Sequence, residues 1–163
     1  MEDLAKRVGE RLAASGQVLA IAESCTGGWV AQAVTAIAGS SDWFDRGFVT
    51  YSNDAKQEML GVRADTLARH GAVSEHTARE MAQGALARSK ATVTLAVTGV
   101  AGPGGGSAEK PVGMVCFAWA SRQGATTEAM RFSGDRESVR RQSVVHALEG
   151  VLKLLTAAES GHT

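Results

Sequence analysis

The sequence predicts an α/β fold in which helices cover both faces of a mixed central sheet. Segments with helical spacing of apolar residues alternate with short apolar or β-branched runs over the first hundred residues. Later, two strand-like runs at 112–120 and 125–132 flank a turn and predict an antiparallel hairpin. We therefore expect a single three-layer α/β/α domain that spans residues 1–163.

Each predicted helix combines apolar residues at helical spacing with a residue that starts or stops a helix. Leu4, Val8 and Leu12 recur four residues apart, and Gly16 then ends the first helix. The other helices have polar caps at their starts or glycines after their ends. We predict them at 30–37, from Asn53 or Asp54 to 60, at 65–70, at 74–86 and from Asp135 to 155, with fraying after Ala158.

The predicted strands that precede the hairpin are the runs 17–23, 47–51 and 92–98. Glycine is in excess around them. The chain has 19 glycines but only 2 prolines, where about 7% glycine is usual. Several of these glycines directly follow predicted strands, which is where the loops of an α/β sheet bind ligands. We therefore expect the functional site at the strand ends.

Charge and targeting signals narrow the function classes. Lys and Arg total 17 and Asp and Glu total 17, so we expect neither a nucleic-acid coat nor a polybasic membrane binder. The first residues are charged and lack the apolar run of a signal peptide, which predicts a cytoplasmic protein. Cys25 and Cys116 are then free thiols. The histidines show no metal-ligand spacing, and we expect no metal and no cofactor.

The first candidate segment, 23–28, joins a predicted strand to a predicted helix. Ser24 is the candidate nucleophile, and the amides of the two glycines that follow are candidates for binding an oxyanion or a phosphate. In the alternative interpretation, Ser24 or Thr26 only caps the helix and the glycines only allow close packing. Cys25 is a rival nucleophile, although no histidine lies nearby in the sequence to activate it.

Lys56 lies on the first turns of a short predicted helix, shortly after a strand that ends at Tyr51. The helix dipole opposes a lysine at this position, and partial burial there lowers the pKa of the amine and makes it a usable base. Ser24 and Lys56 then form a Ser–Lys pair, with Tyr51 orienting the base or relaying the proton. The alternative is a solvated surface lysine, which is the commoner case for any single lysine.

A glycine-rich loop and an arginine cluster are candidates for holding an anionic ligand. The loop 98–111 follows a predicted strand, and its glycines permit close backbone approach to a phosphate or a ribose. A flexible linker is the alternative, although it is unusual between two core strands. Arg136, Arg140 and Arg141 crowd the first turns of the last helix, where a phosphate can bind. A solvated face balanced by neighbouring carboxylates is an equally good interpretation.

Four segments occur in this order along the chain: AESCTGG, GFVTYSNDAK, TGVAGPGGGSAEKPVG and FSGDRESVRRQ. Together they resemble the carboxy-terminal domain family of the competence/damage-inducible protein CinA. The resemblance runs from about Leu4 to Leu155, and the sequence is most similar to the stand-alone members, which are nicotinamide mononucleotide deamidases. We therefore expect no large amino-terminal domain of the kind that the two-domain members carry.

The resemblance implies hydrolysis of the carboxamide of nicotinamide mononucleotide to nicotinic acid mononucleotide and ammonia, a step in NAD recycling. It implies Ser24 as the nucleophile, Lys56 as its base and Tyr51 as an assisting residue. The implied partners are the small-molecule nucleotide and further copies of the chain in a homo-oligomer such as a dimer. The candidate substrate-binding residues are Thr26, Gly27, Gly28, Thr98, Gly99, Gly102, Gly105 and Arg140, and the resemblance favours Arg140 as the phosphate contact.

A second function class stays open from the sequence. A catalytically silent domain that binds a nucleotide in a regulatory role would use the same glycine loop and arginine cluster. The presence of all the candidate catalytic residues argues against it. Ammonia release from nicotinamide mononucleotide favours the enzyme, whereas thermal stabilisation by the nucleotide without turnover favours the binding domain.

Overall fold

Six helices, a short 3₁₀ turn and five strands make up the described part of the chain. The computed structural model describes residues 1–160, with side chains as far as Ala158. The helices are α1 (Glu2–Ala14), α2 (Trp29–Thr35), α3 (Asn53–Leu60), α4 (Ala64–His70), α5 (Glu75–Ala87) and α6 (Arg136–Ser160), and the 3₁₀ turn is Ser40–Asp42. The strands are β1 (Leu19–Glu23), β2 (Phe44–Val49), β3 (Val93–Gly99), β4 (Met114–Ser121) and β5 (Gly124–Arg131).

The five strands form one mixed sheet in the order β2-β1-β3-β4-β5. β1 runs parallel to both of its neighbours, β2 and β3. β4 and β5 are antiparallel to the strands that precede them, and they form the predicted hairpin. The predicted α/β fold with a mixed sheet that ends in an antiparallel hairpin is confirmed.

Alternating side chains along the strands divide the core into two layers. On one face, Leu19 and Ile21 of β1 are buried together with residues of α1, α2 and α6. On the other face, Ala22 and Ala96 are buried with residues of α3 and α5, and Leu67 of α4 packs against this group. The sheet therefore carries helices on both faces, as predicted.

Several element boundaries differ from the sequence predictions by a few residues, among them the start of β1 at Leu19 instead of residue 17, and three of the differences have a clear physical reason. β2 covers Phe44–Val49 instead of 47–51, because an edge strand with exposed positions tolerates polar residues at its start. α2 ends at Thr35 instead of reaching residue 37, since the chain there tightens into an i to i+3 turn. The cap of α3 is Ser52, whose hydroxyl accepts from the N–H of Ala55 at 3.0 Å, and not Asn53 or Asp54.

The remaining predicted helix signals act as expected. Gly16, at φ 66°, follows α1, and Gly61, at φ 70°, ends α3. Ser74 caps α5 by accepting from the N–H of Thr77, and Asp135 caps α6. α6 reaches Ser160, whereas residues 161–163 of the tail predicted to fray lie outside the described residues. Among residues 1–160, no helix has both the length and the apolar character that a membrane span requires.

The parallel part of the sheet positions the candidate site. Because parallel strands end at the same edge, the residues that follow β1, β2 and β3 come together there. Glu23 lies opposite Val49 of β2 and Val97 of β3. Beyond these pairs, the N–H of Ser24 donates to the backbone carbonyl of Val97 at 2.9 Å, and the N–H of Thr50 donates to the backbone carbonyl of Glu23 at 2.8 Å. The predicted site residues at this edge therefore start from a rigid frame.

Candidate active site

A buried serine and a buried lysine meet at the carboxyl ends of β1 and β2. Ser24 directly follows β1, and Lys56 lies in the first turn of α3, shortly after β2. The Nζ of Lys56 lies 3.0 Å from the Oγ of Ser24. The structure thus brings together the two residues that the sequence suggests as nucleophile and base.

Lys56 is only 1% exposed, which is more complete burial than the sequence suggests. Its Nζ also lies 2.9 Å from the carbonyl oxygen of Thr50 and 3.4 Å from that of Tyr51. Burial lowers the pKa of Lys56, because desolvation disfavours the ammonium form. A neutral amine has two N–H donors for these two carbonyls and a lone pair for the hydroxyl proton of Ser24. The contacts therefore suit a base and exclude a solvated surface lysine.

A buried carboxylate that the sequence motifs did not single out caps the helix after Ser24. Glu23, the last residue of β1, is fully buried. Its two oxygens accept from the hydroxyl of Thr26 at 2.6 Å and from three backbone N–H groups at the start of α2, those of Gly28, Val30 and Ala31. Since neither Ser24 nor Thr26 caps α2, the Ser24 hydroxyl is free to meet Lys56. An acidic residue close before a helix start was the available sequence signal.

The cap changes which amides are available to an oxyanion. The N–H of Gly27 donates to the Ser24 carbonyl at 3.0 Å, and that of Gly28 donates to Glu23 at 3.2 Å. Both glycine amides already have acceptors, which disfavours the expectation that they bind an oxyanion. Among the described residues, neither the N–H of Cys25 nor that of Thr26 donates to a backbone or side-chain acceptor. These two N–H groups are the backbone donors left beside the nucleophile.

Cys25 is a poor alternative nucleophile. Its side chain is buried, and burial raises its pKa to about 12. A thiol with such a pKa stays protonated at neutral pH, and the thiol is much less nucleophilic than the thiolate. Cys116 on β4 is buried as well, with a pKa raised to about 11. Both cysteines are free, as predicted, and the geometry favours Ser24 over Cys25.

Tyr51 contacts the lysine through its backbone and not through its phenol. Its carbonyl faces Lys56 at 3.4 Å, whereas its hydroxyl accepts from Nη2 of Arg136 at 3.2 Å. The residue is 63% exposed, and Val49, two residues earlier, is 45% exposed. The phenol therefore lies at the rim of the site beside an exposed apolar residue. A role in orienting the base or relaying a proton stays a prediction.

The end of β3 and the loop that joins it to β4 are held by specific contacts, among them the bond from Arg136 to the carbonyl of Gly102, which excludes a flexible linker. The buried Thr98 donates its hydroxyl to the carbonyl of Ala72 at 2.8 Å and so fastens the turn between α4 and α5. Gly99 packs against β4, since a Cβ there would lie 2.7 Å from the valine side chain opposite. Gly102 and Gly105 have φ values of 81° and 79°, which favour glycine. Substrate contacts by Thr98, Gly99, Gly102 and Gly105 stay predictions.

Arg140 fastens the segment after the nucleophile to α6. Its Nε donates to the carbonyl of Cys25 and its Nη2 to the carbonyl of Thr26, each at 3.1 Å. Its guanidinium lies 5.6 Å from the ring centroid of Trp29. Gly27, next to the same guanidinium, has a φ of 58°, a backbone conformation that favours glycine. These contacts position the loop, and the predicted phosphate contact of Arg140 stays a prediction.

The other two arginines of the cluster differ in their partners. Arg141 pairs with Glu137 at 3.3 Å on the exposed face of α6. Arg136 donates to the carbonyl of Gly102 at 3.0 Å and to the hydroxyl of Tyr51. It therefore connects the glycine loop to the segment that carries the lysine. Among the described residues, no three His, Cys, Asp or Glu side chains form a group that could hold a metal ion.

The chain matches one family model along most of its length. The model of the CinA C-terminal domain matches residues 1–155. This chain belongs to the CinA C-terminal domain family. The match confirms the resemblance that the four sequence segments indicate.

Relatives of this CinA C-terminal domain include proteins named for an enzymatic activity. The nicotinamide-nucleotide amidohydrolase PncC of Escherichia coli strain K12 is 56% identical over 147 residues, 90% of this chain and 89% of its own length. The protein of the same name from Pseudomonas putida is 49% identical over 153 residues, 94% of this chain and 96% of its own. The crystal structure of the competence/damage inducible protein CihA from Agrobacterium tumefaciens is similar at a TM-score of 0.92 with 52% identity over 94% of both chains.

Proposed function

We propose that this CinA C-terminal domain is a nicotinamide-nucleotide amidohydrolase that converts nicotinamide mononucleotide to nicotinic acid mononucleotide and ammonia in pyridine nucleotide recycling. The observation that carries the proposal is the Ser24–Lys56 pair, 3.0 Å apart, in a chain 56% identical to an amidohydrolase of that name. A carboxamide is a poor electrophile, so its hydrolysis needs an activated nucleophile. A buried amine of lowered pKa beside a serine supplies one.

In the first half of the proposed reaction, neutral Lys56 takes the proton of the Ser24 hydroxyl while Oγ attacks the carboxamide carbon. The carbon becomes tetrahedral and its oxygen takes the negative charge. The ammonium of Lys56 then gives its proton to the amide nitrogen as the C–N bond breaks. Ammonia leaves, and the nicotinoyl group remains on Ser24 as an ester.

In the second half, water attacks the ester carbonyl while Lys56 takes one of its protons. The tetrahedral carbon collapses, the bond to Oγ breaks, and the proton returns from Lys56 to Ser24. The carboxylic acid product gives its remaining proton to solvent and leaves as the carboxylate, and the pair is restored. The carbonyls of Thr50 and Tyr51 support this cycle, because they hold Nζ in place in both protonation states.

We assign the developing oxyanion to the N–H groups of Cys25 and Thr26. The N–H of the residue after the nucleophile is a common donor in serine hydrolases. The glycine amides are less suitable, because Ser24 and Glu23 already accept from them. Thr26, Gly27 and Gly28 then shape the substrate cavity mainly through backbone geometry, and Thr98, Gly99, Gly102 and Gly105 form its opposite wall.

The test is the release of ammonia from nicotinamide mononucleotide by the purified protein, with nicotinic acid mononucleotide identified as the second product. We expect turnover in the wild type and none in Ser24→Ala. Thermal stabilisation by the nucleotide without ammonia release would instead identify a catalytically silent binding domain.

Three further predictions, on domain extent, cellular location and assembly, accompany this function. We infer that residues 1–163 form one amidohydrolase domain, that it works in the cytoplasm, and that it assembles as a homo-oligomer such as a dimer. Light scattering on the purified protein measures the mass of the assembly, and fractionation of the cells that make it locates the chain.

A further inference from the structure

We propose that Arg136 recognises the phosphate of the substrate and so makes the enzyme select a nucleotide over the corresponding nucleoside. This inference rests on the proposed function and adds the residue that sets its specificity. It differs from the expectation that Arg140 holds the phosphate.

The positive charge of Arg136 is not neutralised by the carboxylates beside it. Asp135 uses Oδ1 to cap α6, accepting from the N–H of Ser138 at 2.9 Å. Glu137 pairs with Arg141 at 3.3 Å. The acceptors that Arg136 does have, a phenol oxygen and a backbone carbonyl, carry no charge. A phosphate oxygen is a stronger acceptor for a guanidinium than either of them.

The position of Arg136 suits a group at the far end of the substrate from the carboxamide. Its two contacts join the hydroxyl of Tyr51 to the carbonyl of Gly102 across the mouth of the site. The carbonyl of Tyr51 in turn faces Lys56. Tyr51 therefore contacts both groups, the guanidinium of Arg136 through its hydroxyl and the amine of Lys56 through its carbonyl. Arg136 is exposed at the start of α6, so a ligand can reach its guanidinium.

Arg140 has a different role in this arrangement. Its Nε and Nη2 donate to the two carbonyls after Ser24, and its guanidinium is half-buried over Trp29. Loss of Arg140 therefore disturbs the loop that carries the nucleophile, whichever substrate is bound. Loss of Arg136 removes its contacts with Tyr51 and Gly102 for either substrate, and for a phosphorylated substrate it also removes the contact with the phosphate.

The experiment compares kcat/KM for nicotinamide mononucleotide and for nicotinamide riboside, which lacks the phosphate. Arg136→Ala is expected to lower kcat/KM for the mononucleotide about 10- to 100-fold, the usual effect of a charge-assisted hydrogen bond. The riboside should lose much less, because only the contacts with Tyr51 and Gly102 are then missing. Arg140→Ala is expected to lower both values by a similar factor. Arg69→Ala, which removes an exposed arginine paired with Asp65 on α4, is the charge-matched control and is expected to change neither.

A second measurement covers the case in which the riboside is turned over too slowly to measure. Ribose 5-phosphate is expected to inhibit hydrolysis of the mononucleotide by the wild type, with an inhibition constant raised at least about 10-fold in Arg136→Ala. Equal losses on both substrates in Arg136→Ala, or inhibition that the substitution leaves unchanged, would overturn the proposal. A wild type that releases no ammonia from the mononucleotide instead contradicts the proposed function itself.

Discussion

The amine of Lys56 lies 3.0 Å from the hydroxyl of Ser24, although 32 positions separate the two residues in the sequence. The parallel pairing of β1 with β2 explains the contact. Both strands end at the same edge of the sheet, and the short α3 helix then turns Lys56 back over the end of β1. The pair is therefore built by topology, and each of its members can be tested separately.

Removal of either member of the pair is expected to abolish catalysis without unfolding the protein. Ser24→Ala and Lys56→Met should each lower ammonia release from nicotinamide mononucleotide by at least ~10³-fold, because nucleophile and base act as one unit. Ser133→Ala, at an exposed serine, is the control and should keep wild-type turnover. Circular dichroism and thermal melting check the fold. Near-normal turnover in either active-site variant would exclude the Ser–Lys mechanism.

The pH dependence of the reaction should report on Lys56. Burial lowers the pKa of this amine, so its ammonium form loses its proton below the usual lysine value of about 10.4. The base works only when neutral. We therefore expect kcat/KM to rise with pH through the lowered pKa of Lys56 and then to level off. Lys56→Arg, which stays protonated, should be inactive across the range. A wild-type profile that falls as pH rises from neutral would contradict this role.

Cys25 should be dispensable for the chemistry. Because its pKa is raised to about 12, we expect iodoacetamide to leave the native protein unmodified and active at neutral pH. Both Cys25 and Cys116 should react after denaturation, which controls for the reagent. Cys25→Ala is expected to retain most of the turnover, within about an order of magnitude, since it only removes a buried thiol. A folded Cys25→Ala variant without activity would reopen the case for a cysteine nucleophile.

Glu23 should contribute to stability as well as to activity. In Glu23→Gln, an NH₂ group replaces one of the two carboxylate oxygens that accept from the N–H and O–H donors of the cap. The free energy of unfolding should therefore fall by about 1–3 kcal/mol. Urea denaturation measures the change, and Glu10→Gln, at an exposed position of α1, is the matched control. Turnover should fall together with stability, because the cap holds the segment that follows Ser24. An unchanged unfolding midpoint would argue against the cap.

Gly84 should influence the site from the opposite end of α3. A Cβ at Gly84 of α5 would lie 1.9 Å from the carbonyl oxygen of Leu60, the last residue of the helix that carries Lys56. We expect Gly84→Ala to cost about 1–3 kcal/mol of stability through overpacking, more than the ~1 kcal/mol that alanine adds to a helix. Turnover should fall as α3 shifts. Gly104→Ala, where no atom lies within 4 Å of the new Cβ, is the control. Equal melting temperatures in the two variants would contradict this packing argument.

Much of the fold was predictable from local signals, and the errors occur where tertiary contacts decide. Gly16, Ser74 and Asp135 mark helix ends through backbone preferences that act within a few residues. The start of β2 was missed because Asp45 and Arg46 do not alternate with apolar residues. At a sheet edge, pairing with β1 outweighs that pattern.

The candidate site was predictable only in part for the same reason. The Ser24 and Lys56 motifs each lie beside a predicted strand end, so their proximity follows from a parallel sheet. The arginines of α6 are alike in the sequence, and their spacing does not reveal that Arg140 reaches the carbonyl of Cys25, 115 positions away. The cap by Glu23 was missed because a glutamate that ends a buried strand reads as part of that strand.

The carboxylate of Glu23 also makes the two ends of the candidate site differ in charge. It occupies the first N–H groups of α2, so an anion at this helix start meets a carboxylate, and only the N–H groups of Cys25 and Thr26 remain for a transient oxyanion. Arg136 carries a positive charge at the outer end of the site, beside Tyr51 and Gly102. A molecule with an anionic tail and an uncharged amide head is therefore favoured in one orientation, amide inward, and disfavoured in the reverse one.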